Sequence, residues 1–248
     1  MSTSTPLVCG FARLTSCSGC QLALLNMTAD LVPLAARLEV VGFAMASSAA
    51  DAGGALDVVV IEGSVSSPAH LSTLLALRRR ADRLVAVGAC ALSGGVNALA
   101  TGDRDALVAS VYGEPEAVDE SFPPQPLSRF VHVDLEIPGC PPEGAELVAL
   151  LGALARGGLP AGVDYPVCME CRQRENLCLL IERNIPCLGP VTRAGCQARC
   201  PSFGVACEGC RGMVAEANRG EEFRLLLETG LNEREIRARL GRFGEEGP

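Results

Sequence analysis

Apolar residues along the first 160 positions come in short runs separated by helical patterns, and the runs lack strict alternation. "LVCGFARL" (7–14), "LEVVGFAMA" (38–46), "LDVVVIEG" (56–63), "RLVAVGAC" (83–90) and "RFVHVDLEI" (129–137) are rich in Val, Leu and Ile. Such near-continuous hydrophobicity is expected of strands buried on both faces of a parallel sheet. Between them, "CQLALLNMTADLVPLAARL" (20–38), "PAHLSTLLALRRRA" (68–81) and "DRDALVASVYG" (103–113) repeat apolar residues at helical spacing. After the last run, "PPEGAELVALLGALARGG" (141–158) has a Pro and Glu start and a Gly-Gly stop, which reads as one more helix. The alternation predicts an α/β fold, a doubly wound, flavodoxin-like parallel sheet over residues 1–160.

The pattern then changes. "VCMECRQRENLCLLIERNIPCLGPVTRAGCQARCPSFGVACEGCRG" carries eight cysteines between Cys168 and Cys210, one aromatic residue and few long apolar runs. A segment near 40 residues rarely folds on hydrophobic burial alone, so metal is expected to supply the core of a cysteine-rich domain at 161–215. The spacing C-x2-C, x6, C, x8, C, x8, C-x3-C, x6, C-x2-C divides into four and four. Residues 216–248 read as a helical tail, with "NEREIRARLGRF" (232–243) an amphipathic helix whose spacing pairs Glu233 with Arg237 and Glu235 with Arg239. "GEPEAVDESFPPQPLS" (113–128) reads as a Pro-rich acidic loop inserted before the fifth strand.

Composition narrows the function classes. The chain has 248 residues, 48% of them hydrophobic, enough for a full core, and a net charge of −8 that argues against nucleic acid as a partner. "RRR" at 78–80 reads as the solvated end of a helix. No run approaches the roughly 20 apolar residues of a membrane span, and the N-terminus lacks a basic region followed by an apolar block, so a cytoplasmic protein is expected. Thirteen thiols at that address point to metal or redox chemistry rather than disulfides. Cys9, alone in an apolar strand, reads as a buried small hydrophobe, which leaves twelve.

Four of the twelve fall where an open parallel sheet binds ligands. Cys17 and Cys20 follow the first strand, Cys90 ends the fourth and Cys140 follows the fifth, so all four belong to the carboxyl edge. Glycines stand beside them in "CSGC", "GACALSGG" and "PGCPPEG", as needed where a cluster presses on main chain. Glu62 ends the third strand at the same edge, either as a carboxylate favoured by a helix dipole or as a proton-handling acid. Zinc and iron-sulfur both suit tetrahedral thiolate sites. Zinc remains open for the eight C-terminal cysteines but fits three separate βα loops less well, whereas twelve cysteines divide evenly into three 4Fe-4S sites. His70, in a helix start, and His132, in mid-strand, belong to no Cys-His motif and read as structural.

"LTSCSGCQLALL", "VVVIEGSV", "GACALSGG", "IPGCPPEG", "CLGPVTRAGC" and "CEGCRG" resemble, in order and over residues 7 to about 212, the small subunit of nickel-iron hydrogenases, in particular the cytoplasmic bidirectional, sulfhydrogenase delta type. The resemblance implies a proximal 4Fe-4S cluster at Cys17, Cys20, Cys90 and Cys140. It implies a distal-type cluster at Cys168, Cys171, Cys178 and Cys187, where Cys168 replaces a common His, and a medial-type cluster at Cys196, Cys200, Cys207 and Cys210. Cys200 adds a thiolate that three-iron relatives lack, so four irons are expected there. "CP" at Cys200 and Pro201 is also similar to two-cluster ferredoxins, where one cysteine serves the other cluster, so the division of the eight stays open. The implied partners are a large subunit carrying the nickel-iron centre and flavin/iron-sulfur NAD(P) reductase subunits, and the implied catalytic metal lies outside this chain. Glu62 matches an acid near the subunit interface. The alternatives are an iron-sulfur subunit of another complex, such as a quinone-reductase relative, or a zinc-binding assembly module. Quinone-reductase relatives carry a tandem Cys-Cys in the first loop, whereas Ser18 and Gly19 separate Cys17 from Cys20 here.

Overall fold

The computed structural model describes residues 5–49, 51–100, 102–114, 116 and 120–243. Five strands, β1 (Leu7–Arg13), β2 (Leu38–Val41), β3 (Leu56–Glu62), β4 (Ala81–Val87) and β5 (Leu135–Ile137), form one parallel sheet in the order β2-β1-β3-β4-β5. That is the flavodoxin-like order, with a switch between β1 and β3 and the carboxyl ends of all strands along one edge.

The apolar runs are continuous because each strand feeds two cores. Cys9, Phe11, Val58, Val60, Val85 and Val87 point to one face, under α1 (Gly19–Leu25), α2 (Thr28–Ala35) and α6 (Gly144–Leu154), with Leu24, Leu34, Leu147, Leu150 and Leu151 packed on them. Val59, Ile61, Leu84 and Ala86 point to the other, under α3 (Pro68–Arg80), with Leu74 and Leu77. Full burial of each Val, Leu, Ile or Phe among them contributes roughly 1.5–3 kcal/mol, so the sheet stands on apolar packing. α3 starts on Ser67, whose hydroxyl accepts from the His70 N–H, and on Pro68 at its first position. Its last turn carries Arg78, Arg79 and Arg80; Arg78 binds Asp134 and Arg80 binds Asp51.

Three elements differ from the sequence pattern. β2 stops at Val41 rather than 46, because Gly42 takes a φ of +68° and Phe43 turns inward to stack on Phe11, ring centroids 4.3 Å apart. β5 keeps only Leu135–Ile137 of 129–137. Asp134 accepts the Leu84 N–H with its carboxylate at 2.7 Å and binds Arg78, so it ends the ladder with a side chain. His132 is therefore exposed outside the strand rather than in mid-strand. The acidic loop is partly pinned, since Val65 and Gln125 exchange backbone hydrogen bonds; its residues 115 and 117–119 lie outside the described set, as do 1–4 and 244–248 of the first and last segments.

Between α4 (Gly88–Ser93) and α6 runs α5 (Arg104–Tyr112). The cysteine-rich segment holds only short helices: α7 (Val167–Gln173), α8 (Leu179–Arg183) and α9 (Arg199–Ser202). Its core combines Val167, Leu180, Cys187, Ala198 and Cys207 with flanking Cys171, Cys178 and Cys196. α10 (Arg219–Glu228) and α11 (Glu233–Gly241) close over it through Leu188, Val191, Leu226 and Ile236. On α11 the Glu233–Arg237 pair forms, but Glu235 folds back on Asn232 in a capping box and Arg239 reaches Glu208.

Candidate metal centres

The first group of thiols gathers at the carboxyl edge of the sheet. Cys17 and Cys20 flank the start of α1, Cys90 sits in the first turn of α4 directly after β4, and Cys140 follows β5. Burial raises the Cys20 thiol far above its usual range, with Glu62, Cys90 and Cys17 adding to it. Burial also pushes Cys90 up to about 11, helped by Cys140 and Cys17, and raises Cys140, helped by Cys17. Cys20 and Cys90 each feel two other thiols of the group and Cys140 feels one, so these neighbouring sulfurs resist ionising without a cation among them.

Glycine keeps the floor of this group clear. A Cβ on Gly88, whose φ is +83°, would lie 2.4 Å from the Cys20 sulfur; one on Gly95 would lie 2.9 Å from the Cys90 sulfur and backbone. Asn97 Nδ2 donates to the Cys90 sulfur at 3.6 Å and to Thr15 O at 3.2 Å. Glu62, 2% exposed, accepts from Ser16 Oγ at 2.9 Å and from the Gln21 N–H at 3.1 Å. It therefore anchors the first turn of α1, the helix carrying Cys20, and not the helix that follows its own strand. His70 Nδ1 lies 3.2 Å from Thr15 Oγ1, outside the thiol group.

A second group forms in the cysteine-rich segment. Burial pushes Cys168 up to about 12, with Cys187, Cys171 and Cys178 adding to it. A Cβ on Gly189 would meet the Cys168 and Cys187 sulfurs at 3.3 and 3.5 Å. The Cys207 N–H donates to the Cys187 sulfur at 3.3 Å.

The third group contains Cys196, Cys200 and Cys210: burial raises Cys210, and Cys196 and Cys200 add to it. Cys207, pushed up to about 12 by burial, feels both Cys187 and Cys210 and stands between the second and third groups. Cys9 belongs to none; it is fully buried in β1, and burial pushes its thiol up to about 12. Among the described residues, the thiols assemble without converging to the contact of a single-ion site.

Two supporting carboxylates and one arginine escaped the sequence pattern. Glu170, between Cys168 and Cys171 and 7% exposed, accepts from the Gly195 N–H at 2.8 Å and the Ala198 N–H at 3.0 Å, holding the loop of Cys196. Arg211, next to Cys210, forms a bidentate pair with Glu146 of α6. The available signal was charge inside or beside a cysteine motif in a segment with little core to hide it.

These features suit iron-sulfur clusters: thiolate donors, glycine-cleared walls and N–H groups aimed at sulfur. A flavodoxin-like sheet with cysteines on its carboxyl edge and a cysteine-rich extension defines an iron-sulfur subunit of an oxidoreductase. Residues 17–154 match the family described as NADH ubiquinone oxidoreductase, 20 Kd subunit. The chain is 38% identical over 94% of its length to sulfhydrogenase 2 subunit delta of Pyrococcus furiosus, covering 98% of that protein. It is 30% identical over 96% of its length to a subunit of the F420-non-reducing hydrogenase vhu of Methanocaldococcus jannaschii, covering 90% of it. Among solved structures, it matches a chain of an NAD+-reducing [NiFe]-hydrogenase in the H2-reduced state with a TM-score of 0.55 and 28% identity, over 63% of this chain and 95% of that one. The chain belongs to the 20-kDa-subunit family and, within it, to the small subunits of nickel-iron hydrogenases. It is thus part of an oxidoreductase acting on hydrogen whose catalytic centre lies in the large subunit.

Proposed function

We propose that this chain is the electron-transfer subunit of a cytoplasmic hydrogenase, linking the nickel-iron centre of the large subunit to flavin/iron-sulfur NAD(P) reductase subunits through three 4Fe-4S clusters. Cys17, Cys20, Cys90 and Cys140 would hold the proximal cluster. Cys196, Cys200, Cys207 and Cys210 would hold the medial one, and Cys168, Cys171, Cys178 and Cys187 the distal one. Each cluster, when bound, supplies reversible electron storage at a potential set by its surroundings.

The observation that carries this reading is the arrangement of thiols into neighbouring groups that bridge the sheet edge and the cysteine-rich segment. Cys140 of the first group and Cys210 of the third are adjacent, the Cys140 backbone N–H favouring the Cys210 thiolate. Around them the chain's own residues position sulfur and exclude bulk: Gly88, Gly95 and Gly189 remove side chains, Glu62 anchors α1, and Glu170 anchors the Cys196 loop. The reductase partner is supported by the NAD+-reducing hydrogenase chain with the same fold. No helix among the described residues is long and apolar enough to cross a membrane. We assign the proximal site to a domain at 1–160, the other two to a domain at 161–215, and the helical tail to 216–248.

The test is metal analysis and EPR of the anaerobically purified complex. About twelve irons on this chain, as three four-iron clusters, are expected. A colourless protein with stoichiometric zinc, or fewer than three clusters, refutes the assignment.

A further inference from the structure

Arg211 is a cation buried where two thiol groups meet. Its side chain is 1% exposed, in a protein whose net charge is −8. All three of its nitrogens donate hydrogen bonds. Nε donates to Ala194 O at 2.7 Å, Nη1 to Pro138 O at 2.7 Å, and Nη1 and Nη2 to the two oxygens of Glu146 at 2.8 Å each. Pro138 precedes Gly139 and Cys140, in the loop after β5; Ala194 precedes Gly195 and Cys196. One guanidinium therefore holds the loop of a first-group cysteine and the loop of a third-group cysteine together.

The third-group loop is shaped to admit it. A Cβ on Gly195, whose φ is +112°, would lie 2.4 Å from Arg211 Nη2 and 3.0 Å from Cζ, so a side chain there would push the guanidinium out of this position. From the other side Glu170 fixes the Gly195 and Ala198 N–H groups. The charge is felt at sulfur. Burial raises the Cys196 and Cys210 thiols, and Arg211 opposes that rise at both.

Burying an ion pair is a poor way to gain stability. The desolvation penalty of each ion is several kcal/mol, and well-packed apolar residues often serve as well. What an apolar residue cannot supply is a positive charge facing sulfur. A fixed cation favours the more negative, reduced form of a nearby cluster and so raises its potential.

We propose that Arg211 is a positioning residue common to two cluster sites, docking the Cys140 loop on the Cys196–Cys210 loop and raising the potential of the cluster held by Cys196, Cys200, Cys207 and Cys210. This rests on the cluster assignment above. Glu146, 22% exposed at its side chain, sets how much of the charge is expressed.

The test is an EPR-monitored redox titration of the intact hydrogenase complex carrying Arg211→Met, Arg211→Lys or Glu146→Gln. Arg211→Met should lower the reduced-to-oxidised ratio of this cluster at least tenfold at fixed poise, about 59 mV for one electron. Arg211→Lys, which keeps the charge and loses the fork, should fall between it and the unmodified complex. Glu146→Gln, which removes the countercharge at the accessible end of the pair, should shift the ratio the opposite way, and it decides the matter if Arg211→Met fails to assemble. A strap that only holds structure predicts no opposed shifts. Unchanged potentials, or both substitutions moving the potential in one direction, overturn the proposal while leaving three clusters in place. An unmodified complex without a cluster at Cys196–Cys210 instead overturns the assignment and this inference together.

Discussion

Replacing Gly88 by alanine isolates the steric demand of the first thiol group. The new Cβ would stand 2.4 Å from the Cys20 sulfur and 3.4 Å from Gly139 O, at a φ of +83°. Ordinary contact begins near 3.5 Å between heavy atoms, so the sulfur or the α4 backbone must move by about 1 Å. Two costs combine. A left-handed L-residue costs roughly 1–2 kcal/mol, and overpacking a tight site typically adds about 1–3 kcal/mol. Gly230→Ala provides the control, since its φ of +92° is similar and nothing lies within 4 Å of the new Cβ. Only the backbone cost applies there. The difference of about 1–3 kcal/mol corresponds to about 2–12 °C in Tm for a chain of this size. Anaerobic thermal denaturation with iron and sulfide analysis measures both effects. Gly88→Ala should melt earlier than Gly230→Ala and lose about four irons, the content of one cluster. If Gly88→Ala keeps the full iron complement and melts with Gly230→Ala, the packing argument for the Cys20 site is wrong.

Cys9→Ala should leave the iron content untouched and cost on the order of 1 kcal/mol in anaerobic denaturation, because Cys9 packs in the sheet core and burial and Asp57, not another thiol, perturb it; loss of iron would place it in a cluster site. Glu222 is 1% exposed, neither carboxylate oxygen has a hydrogen-bond partner, and burial pushes its carboxyl up to about 7. Its folded pKa lies above the unfolded value of about 4.5, so the fold favours the neutral form and the penalty for ionising grows as pH rises from 4.5 to 7. Glu222→Gln should therefore be stabilising relative to the unmodified complex, by an amount that increases by about 2 kcal/mol between about pH 5.5 and 8.5. A difference that does not change with pH in chemical denaturation refutes this. Removing iron with a chelator should raise hydrogen exchange across 167–213 while the sheet stays protected; equal loss of protection in β3 and β4 would contradict the separation of cores.

The sheet was legible because its two faces both need apolar residues. The unbroken runs at 56–63 and 83–90 became β3 and β4 within about a residue or three. The meeting of Cys17, Cys20, Cys90 and Cys140 at one edge was legible too, since topology alone brings residues at strand ends together. β5 and β2 were overestimated because side chains ended them: Asp134 takes the Leu84 N–H, and Phe43 turns onto Phe11. The same kind of local competition diverted Glu235 from Arg239 to the N-cap of its own helix. Arg211 with Glu146 and Pro138, and Glu170 with Gly195, were hidden for another reason. They join positions 25 to 73 apart, and no periodic pattern encodes a contact across that distance.

The two halves of the chain solve the burial problem with different atoms. Leu, Val and Ile fill most of both faces of the sheet, so β3 and β4 rest chiefly on aliphatic packing. Between 167 and 210 sulfur shares the interior with a few aliphatic side chains: Cys187 and Cys207 are buried beside Val167, Leu180 and Ala198, and Cys171, Cys178 and Cys196 pack against them. Burial raises the thiols of Cys168, Cys187, Cys196, Cys207 and Cys210, so the iron-free interior favours neutral sulfur. Thiolate ligation must then displace protons from the core itself, and iron affinity and folding become one equilibrium that strengthens as pH rises. The sheet edge divides the labour differently. There the strand ends hold Cys17, Cys20, Cys90 and Cys140 together in advance, so the proposed proximal cluster would not need iron to build its own scaffold.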